Sequence, residues 1–241
     1  MDSVTEREAR LEQFNKALNE RGLKNLSKLG DASKDEIELV RLKEVYDHSK
    51  RFYTDVKFDC IFPGGKTGEF TIRFNANGAV SDGAVIIAVV NGKFAIVKQW
   101  RPVLGCWTYE VPRGFGEKMD KAHLAGSLGQ MKIGDLPLGT MARELGEEVM
   151  ETAEVVSVTH LGNVAQNSGT DAVAPSYFLV VINADEDAIN KKLKNIDGEV
   201  SKVYLWDSTK VKSEVGRRIN DNHSIVALTL AMNHIAQLPR L

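Results

Sequence analysis

Cysteine is scarce in this chain of 241 residues, which carries only Cys60 and Cys106. Two thiols cannot build a disulfide framework, and their scarcity suits a reducing compartment. A dominant charge is also missing. The 31 basic and 33 acidic residues leave a net charge of −2, so no basic field gathers nucleic acid. The longest purely apolar run, Ala84 to Val90, spans seven residues, far below the ~20 needed to cross a bilayer as a helix. Asp2, Glu6, Arg7, Glu8 and Arg10 charge the N-terminus, and no signal peptide is expected there. There is no internal repeat and no low-complexity segment. The five histidines (His48, His123, His160, His223 and His234) show no close metal-ligand pairing. Hydrophobic residues at 43% and charged residues at 27% give the balance of a folded domain. The expectation is a cytoplasmic globular protein that binds neither nucleic acid nor membrane.

Residues 3–22 place Leu11, Phe14 and Leu18 at spacings of three and four, which predicts an amphipathic helix. A second helix is predicted after Ser33, with Glu36 completing a capping box and Ile37, Val40, Leu42 and Val45 on its apolar side. From Phe52 the texture becomes that of strands. Val56, Phe58 and Cys60 alternate with polar residues, Pro63–Gly64–Gly65–Lys66–Thr67–Gly68 makes a turn, and Phe70, Ile72 and Phe74 alternate again. That is a hairpin. Gly65–Lys66–Thr67 echoes the end of a phosphate-binding loop but sits between two strands, so it reads as the hairpin turn. Asn91–Gly92 between apolar runs marks a second hairpin, 84–97. A short strand follows at 109–111, then a glycine-rich, aperiodic stretch over 114–139, which predicts a long loop. Further along, helices are predicted at 140–150, 185–194, 208–219 (capped by Ser208) and 223–236 (capped by Asn222), with strands at 155–161, 177–182 and 203–206. The expected division is a helical N-terminal extension (1–50), a β-hairpin region (51–82) and a larger domain (83–241).

The chemistry concentrates in Arg143–Glu144–Leu145–Gly146–Glu147–Glu148. Glu144 and Glu148 are four apart on one helical face and Glu147 lies beside them; such like charges repel and call for a compensating cation. Carboxylate oxygens on one ridge suit Mg2+, or Mn2+, which keep waters and bind substrate phosphates. Met141, Leu145 and Val149 form an apolar stripe that would pin this helix to a sheet. By itself the ridge also fits a solvated acidic face.

The surroundings favour the first reading. Arg143, Glu144, Leu145, Glu147 and Glu148 match the R-E-U-x-E-E core of the Nudix hydrolase signature, where U is aliphatic. Asp135 stands eight residues before Arg143, where that family has Glu. Gln99–Trp100–Arg101–Pro102 and Glu110–Val111–Pro112–Arg113–Gly114 resemble the Q-x-R-P and E-x-P-x-G segments of its ADP-ribose and nucleotide-sugar pyrophosphatase branch. Asn167–Ser168–Gly169–Thr170–Asp171 falls at that branch's catalytic loop, and residues 206–224 resemble its closing helix. The resemblance covers about 83–235. Three features depart from it. Met150 replaces a glycine, Glu151 replaces an aliphatic residue, and 21 residues separate Gly114 from Asp135 where the family has six. Gly129, six before Asp135, satisfies the spacing without an insertion, and Asp120, six after Gly114, competes for the acidic position. Gly114 is the favoured opening, since Glu110–Pro112–Gly114 supplies its context; the inserted residues would bulge beside the site.

The resemblance implies a Nudix α/β/α sandwich with a mixed sheet, here with an N-terminal helical extension and β-hairpin. It implies a metal-dependent hydrolase that splits the pyrophosphate bond of a nucleoside diphosphate derivative, ADP-ribose or a nucleotide sugar, into a nucleoside monophosphate and a sugar phosphate. Mg2+ (or Mn2+) would be held by Glu144, Glu147, Glu148 and the carbonyl of Arg113. Arg101 and Glu110 are candidates for substrate binding; a surface arginine and a structural hydrogen bond are the alternatives. Arg143 would brace the ligand helix. The general base is Asp171, or else Glu147 or Glu148. A homodimer is expected from the branch. Another Nudix substrate, such as a dinucleoside polyphosphate, and a Nudix-like binding module without catalysis are the competing functions.

Overall fold

The computed structural model describes residues 4–46, 53–75, 83–114, 131–132, 144–146, 149, 153–189 and 200–237. The chain forms two compact units. The first comprises residues 1–82 and 165–174, the second 83–164 and 175–241.

In the first unit, helix α1 (Val4–Asn19) covers a three-stranded antiparallel sheet of β1 (Glu38–Tyr46), β2 (Tyr53–Ile61) and β3 (Thr67–Asn75), in that order. Phe14 and Leu18 of α1 enter the core against Val56, Phe58, Cys60 and Phe74, with the Phe14 and Phe58 ring centroids 5.6 Å apart. The expected first helix and hairpin are present, and the tight turn uses Gly64 and Gly65, at φ 87° and 85°.

The second expected helix is absent. A 3-10 turn, Ala32–Lys34, is capped by Asp31 rather than Ser33, and residues 38–46 are strand. Two bulges explain the misleading period. The register shifts between Leu39 and Arg41 and again between Leu42 and Glu44. Each bulge adds one residue to β1. The side chains facing the core, Leu39, Leu42 and Val45, therefore recur every third residue opposite Cys60, Phe58 and Val56. A doubly bulged strand thus imitates the spacing of a helix.

The second unit is an α/β fold, a mixed sheet flanked by helices. Its strands are β4 (Ala84–Val90), β5 (Lys93–Arg101), β6 (Cys106–Glu110), β7 (Arg113–Gly114), β8 (Met131–Lys132), β9 (Glu154–Asn163), β10 (Ser176–Asn183) and β11 (Val200–Trp206). The order is β11-β5-β4-β10-β9-β8, with β6 on β5 and β7 on β4. β10 runs parallel to β4; the other described pairings are antiparallel. β4 is buried along its length because both its faces are covered, as its unbroken apolar run requires. Asn91 and Gly92, at φ 47° and 80°, make the expected β4–β5 turn.

Helical residues 144–146 (α2) and helix α3 (Glu186–Ile189) belong to one side of the sheet, where Leu145, Val149 and Ile189 pack with Ile86, Val97 and Phe178. Helices α4 (Ser208–Glu214) and α5 (Asn222–Gln237) cover the other, through Val211, Ala227, Leu228 and Ala231 against Val85, Ile87 and Ile96. The caps differ from those expected by one residue each. Asp207, not Ser208, caps α4. Asp221, not Asn222, caps α5, taking the N–H of Ser224 at 2.9 Å. Aspartate reaches the orphan amides from one position earlier in both cases. Within the expected 114–139 loop, Met131 and Lys132 pair with β9; the rest of that loop beyond Gly114 lies outside the described residues.

Candidate functional site

The chain crosses from β6 to β7 through Glu110–Val111–Pro112–Arg113–Gly114. The N–H of Ile86 donates to the carbonyl of Pro112 at 2.9 Å, and the N–H of Val111 donates to Ser224 Oγ at 3.0 Å. These bonds tie the segment to β4 on one side and to the start of α5 on the other. β7 then sets Arg113 and Gly114 opposite Val85 and Ala84.

Gly114 is where the two halves of the sequence motif meet. A Cβ there would lie 1.9 Å from Glu144 Oε1 and 2.4 Å from Glu144 Cδ. Glu144 itself is 6% exposed. Leu145 and Val149, both fully buried, anchor its helix on the sheet, with the N–H of Val149 donating to the Leu145 carbonyl at 3.0 Å. A buried carboxylate therefore rests on a residue that has no side chain to displace it. Glu147, Glu148, Arg143, Asp135, Asp120 and Gly129 lie outside the described residues.

Beside this contact runs a polar network centred on Glu110, which is 1% exposed. Arg101 forks onto it, with Nε donating to Oε1 at 2.7 Å and Nη2 to Oε2. Arg113 Nη2 lies 3.2 Å from Oε2, and Thr108 Oγ1 donates to Oε1 at 2.5 Å. Two guanidinium groups thus share one buried carboxylate, which removes the cost of burying a lone charge. Arg113 continues the chain, donating through Nη1 to Asp221 Oδ1 at 2.9 Å. Burial alone would raise the Asp221 carboxyl, but the Arg113 charge and the Ser224 N–H and hydroxyl outweigh it and bring it below its ordinary value. Next to Asp221, His223 Nδ1 lies 2.7 Å from the Tyr177 hydroxyl. Burial, and then the Arg113 charge, push His223 below its usual range, and burial pushes Tyr177 up to about 12.

The structure brings Arg101, Glu110 and Arg113 into one network, and Gly114 onto Glu144. Asp171 lies in the first unit, on a loop attached to β3. Thr108, Tyr177, Asp221, His223 and Ser224 are site residues that the sequence reading missed. The Asp221–Ser224 spacing is an ordinary N-cap pattern; nothing local to it signals that the same aspartate holds an arginine more than a hundred residues away.

No protein-family profile and no curated protein matches the sequence. Solved structures do match in fold, among them a crystal structure of an ADP compounds hydrolase, with a TM-score of 0.55 and 14% identity over 85% of this chain and 94% of that one. The likeness is one of fold, a mixed sheet flanked by helices.

Proposed function

We propose that this chain is a Nudix-type hydrolase that splits the pyrophosphate bond of a nucleoside diphosphate derivative, with ADP-ribose or a nucleotide sugar as substrate. The observation that carries the reading is the seating of Glu144 on Gly114. It joins the E-x-P-x-G segment to the R-E-U-x-E-E helix, and it favours Gly114 over Gly129 as the opening of the motif. Support of a coarser kind comes from the fold shared with an ADP compounds hydrolase.

A hard divalent cation fits the donor chemistry of this spot. Glu144 offers carboxylate oxygens beside main chain that no side chain obstructs. Among the described residues no group of three or more ligating side chains stands together; the remaining proposed donors are Glu147, Glu148 and the Arg113 carbonyl. Mg2+ or Mn2+ would supply charge neutralisation for the pyrophosphate oxygens. The chain's own part is to hold that ridge in place, through Leu145 and Val149 below it and Gly114 beside it. Asp171, or else Glu147 or Glu148, accepts the proton of the attacking water. Arg101 and Arg113 are already committed to Glu110. Either can add an anionic contact only by keeping part of its fork on that carboxylate, so Glu110 acts as the group that orients both guanidiniums.

The protein would act on a soluble small molecule and, by the same resemblance, as a homodimer; its scarce cysteines suit the cytoplasm. No helix among the described residues is long and apolar enough to cross a membrane. The test is a panel of nucleoside diphosphate derivatives and dinucleoside polyphosphates, incubated with the protein and Mg2+ and scored for nucleoside monophosphate. Release from ADP-ribose or a nucleotide sugar supports the proposal. Tight binding of these compounds with no release overturns it in favour of a binding module.

A further inference from the structure

β5 and β6 form a hairpin whose tip departs from the polar composition usual in turns. The N–H groups of Leu104 and Gly105 both donate to the Arg101 carbonyl, at 3.0 and 2.9 Å. The turn so closed holds Val103 at 97% exposure and Leu104 at 59%. Behind them Trp100 and Trp107 are direct cross-strand partners, each 45% exposed, with ring centroids 5.5 Å apart. Of the seven large hydrophobic side chains exposed among the described residues, four sit on this one hairpin, and such grouping marks an interaction surface.

The exposed charge around the hairpin has one sign. No acidic residue occurs between Asp82 and Glu110, and Glu110 is buried on the other face of β6, held by Arg101. Two residues back from Trp100, on the same face, Lys98 Nζ lies 4.6 Å from the centroid of the Trp107 ring. Lys202 of β11 stands directly across from Lys98 and is exposed. Arg218, which also meets the buried Glu214, lies 5.7 Å from the ring centroid of Tyr109, the partner of Lys98 on β6. The hairpin is therefore layered along its axis. An aliphatic tip comes first, then a tryptophan pair, then a row of cations roughly 7 Å behind the tryptophans.

We infer that the β5–β6 hairpin is a membrane-docking element that dips into the surface of an anionic bilayer. Each layer meets the chemistry of its depth. Val103 and Leu104 enter the boundary of the acyl chains, about 5–10 Å deep. Trp100 and Trp107 sit at headgroup level, which their amphipathic rings favour. Lys98 and Lys202 face the anionic headgroups. Other occupants fit less well. A second copy would set these cations against one another across a two-fold axis. A nucleic acid strand can stack on the tryptophans but leaves Val103 and Leu104 in water. A hairpin docked in this way rests on the bilayer without crossing it. It departs from the expectation drawn from composition, because a net charge of −2 sums over the whole chain and hides a patch of one sign. The surface would serve whether or not the chain is a hydrolase.

The experiment is vesicle binding by the full chain. Vesicles of phosphatidylcholine with about one-third phosphatidylserine are compared with phosphatidylcholine alone, by flotation and by tryptophan emission. The chain has three tryptophans, and the third, Trp206, is buried, so a change in emission reports the hairpin. Binding to the anionic vesicles should shift the emission to the blue, and lipids brominated on their acyl chains should quench it. Val103→Asp with Leu104→Asp changes only exposed turn residues, so melting should hold while affinity falls by more than about 10-fold. Lys98→Gln with Lys202→Gln should weaken binding by roughly 10- to 30-fold, and rising salt should weaken that of the unaltered chain. No binding to the anionic vesicles overturns the inference, as does equal binding by the tip variant. A dimer in solution that the tip variant splits, with no vesicle binding, overturns it and gives the hairpin to a second copy. Binding of a single-stranded oligonucleotide in place of vesicles overturns it in favour of nucleic acid.

Discussion

Glu144 lays its carboxylate against Gly114, so closely that a methyl group on residue 114 would stand 1.9 Å from Oε1. The two residues are thirty positions apart, and the contact joins a short sheet strand to the acidic helix. Gly114→Ala tests it directly. The acid is buried, so the added methyl must displace the Glu144 side chain from its place against β7 or overpack the contact. Overpacking of this kind costs about 1–3 kcal/mol. Turnover should fall further than stability accounts for, because the displaced group is a proposed ligand. Melting and steady-state kinetics on this variant check both. A variant with wild-type activity and melting would mean that the close approach is not part of the site.

Glu148→Gln removes a proposed ligand charge at constant size. The expected loss of turnover is at least 100-fold, about 2.7 kcal/mol, with the melting temperature of the metal-free protein unchanged. Mg2+ affinity, measured by calorimetry, should fall in parallel. Near-normal activity at saturating Mg2+ would remove Glu148 from the ligand set.

Much of the fold could be read from the sequence wherever burial was one-sided and regular. The β4–β5 turn followed from Asn91–Gly92, and α1 from Leu11, Phe14 and Leu18. The expectation failed at β1, where two bulges turned an alternation of two into a spacing of three. It failed at the helix caps by one residue, where an aspartate reached further than its neighbour. The site was legible in its local motifs and illegible in its long-range polar partners. Asp221 reaches Arg113, and Ser224 reaches Val111, across more than a hundred residues. No periodicity encodes such pairs, because they depend on which strand ends the topology sets beside α5.

Asp221 links two jobs, capping α5 and holding Arg113, so Asp221→Ala should cost about 1–3 kcal/mol. Its pH signature separates it from a plain cap. Its folded pKa lies below the ordinary 3.8, so the unfolded chain takes up the proton first as pH falls. The stabilisation is present in full above the unfolded pKa and is lost as pH drops through about 4 towards the folded value. Chemical denaturation of the unaltered chain and the variant between pH 3 and 7, on the order of one point per half unit, should show their stability difference shrinking only at the acid end. A difference that is constant across that range would contradict the charged role.

His223 and Tyr177 predict a second pH effect at higher pH. Burial lowers the His223 pKa from 6.5, so the neutral ring is the folded form. Below about pH 6.5 the unfolded chain binds a proton that the folded chain refuses, and stability falls as pH drops from there to the folded pKa. Replacing His223 with Gln should abolish this component, though with a constant loss of stability. Tyr177→Phe leaves Nδ1 without its 2.7 Å partner and should cost about 1–3 kcal/mol. If the stability of the unaltered chain is flat from pH 7 to pH 5, the buried neutral histidine is not the native state.

Glu110 carries the last test, because it separates a structural fork from a substrate contact. It accepts from Arg101 and Thr108 and pairs with Arg113 at 1% exposure. Glu110→Gln sets a neutral amide against Arg101 and Arg113, of which Arg113 keeps Asp221, and breaking a buried pair in this way costs about 3–5 kcal/mol. Arg101→Lys is the gentler change. It keeps the positive charge but loses the planar fork, so a lysine can satisfy Glu110 or an anionic substrate oxygen, not both. If Arg101 only braces Glu110, the lysine variant should melt lower and keep its KM. If it also meets a substrate phosphate, KM should rise by roughly tenfold, about 1.4 kcal/mol, while kcat stays near that of the unaltered chain. The guanidinium is partly open, with 27% of the Arg101 side chain exposed against 2% for Glu110, so solvent and an anion have access to it in either case. Kinetics and melting on Arg101→Lys decide between them, and a variant unchanged in both would leave Arg101 without a role in either.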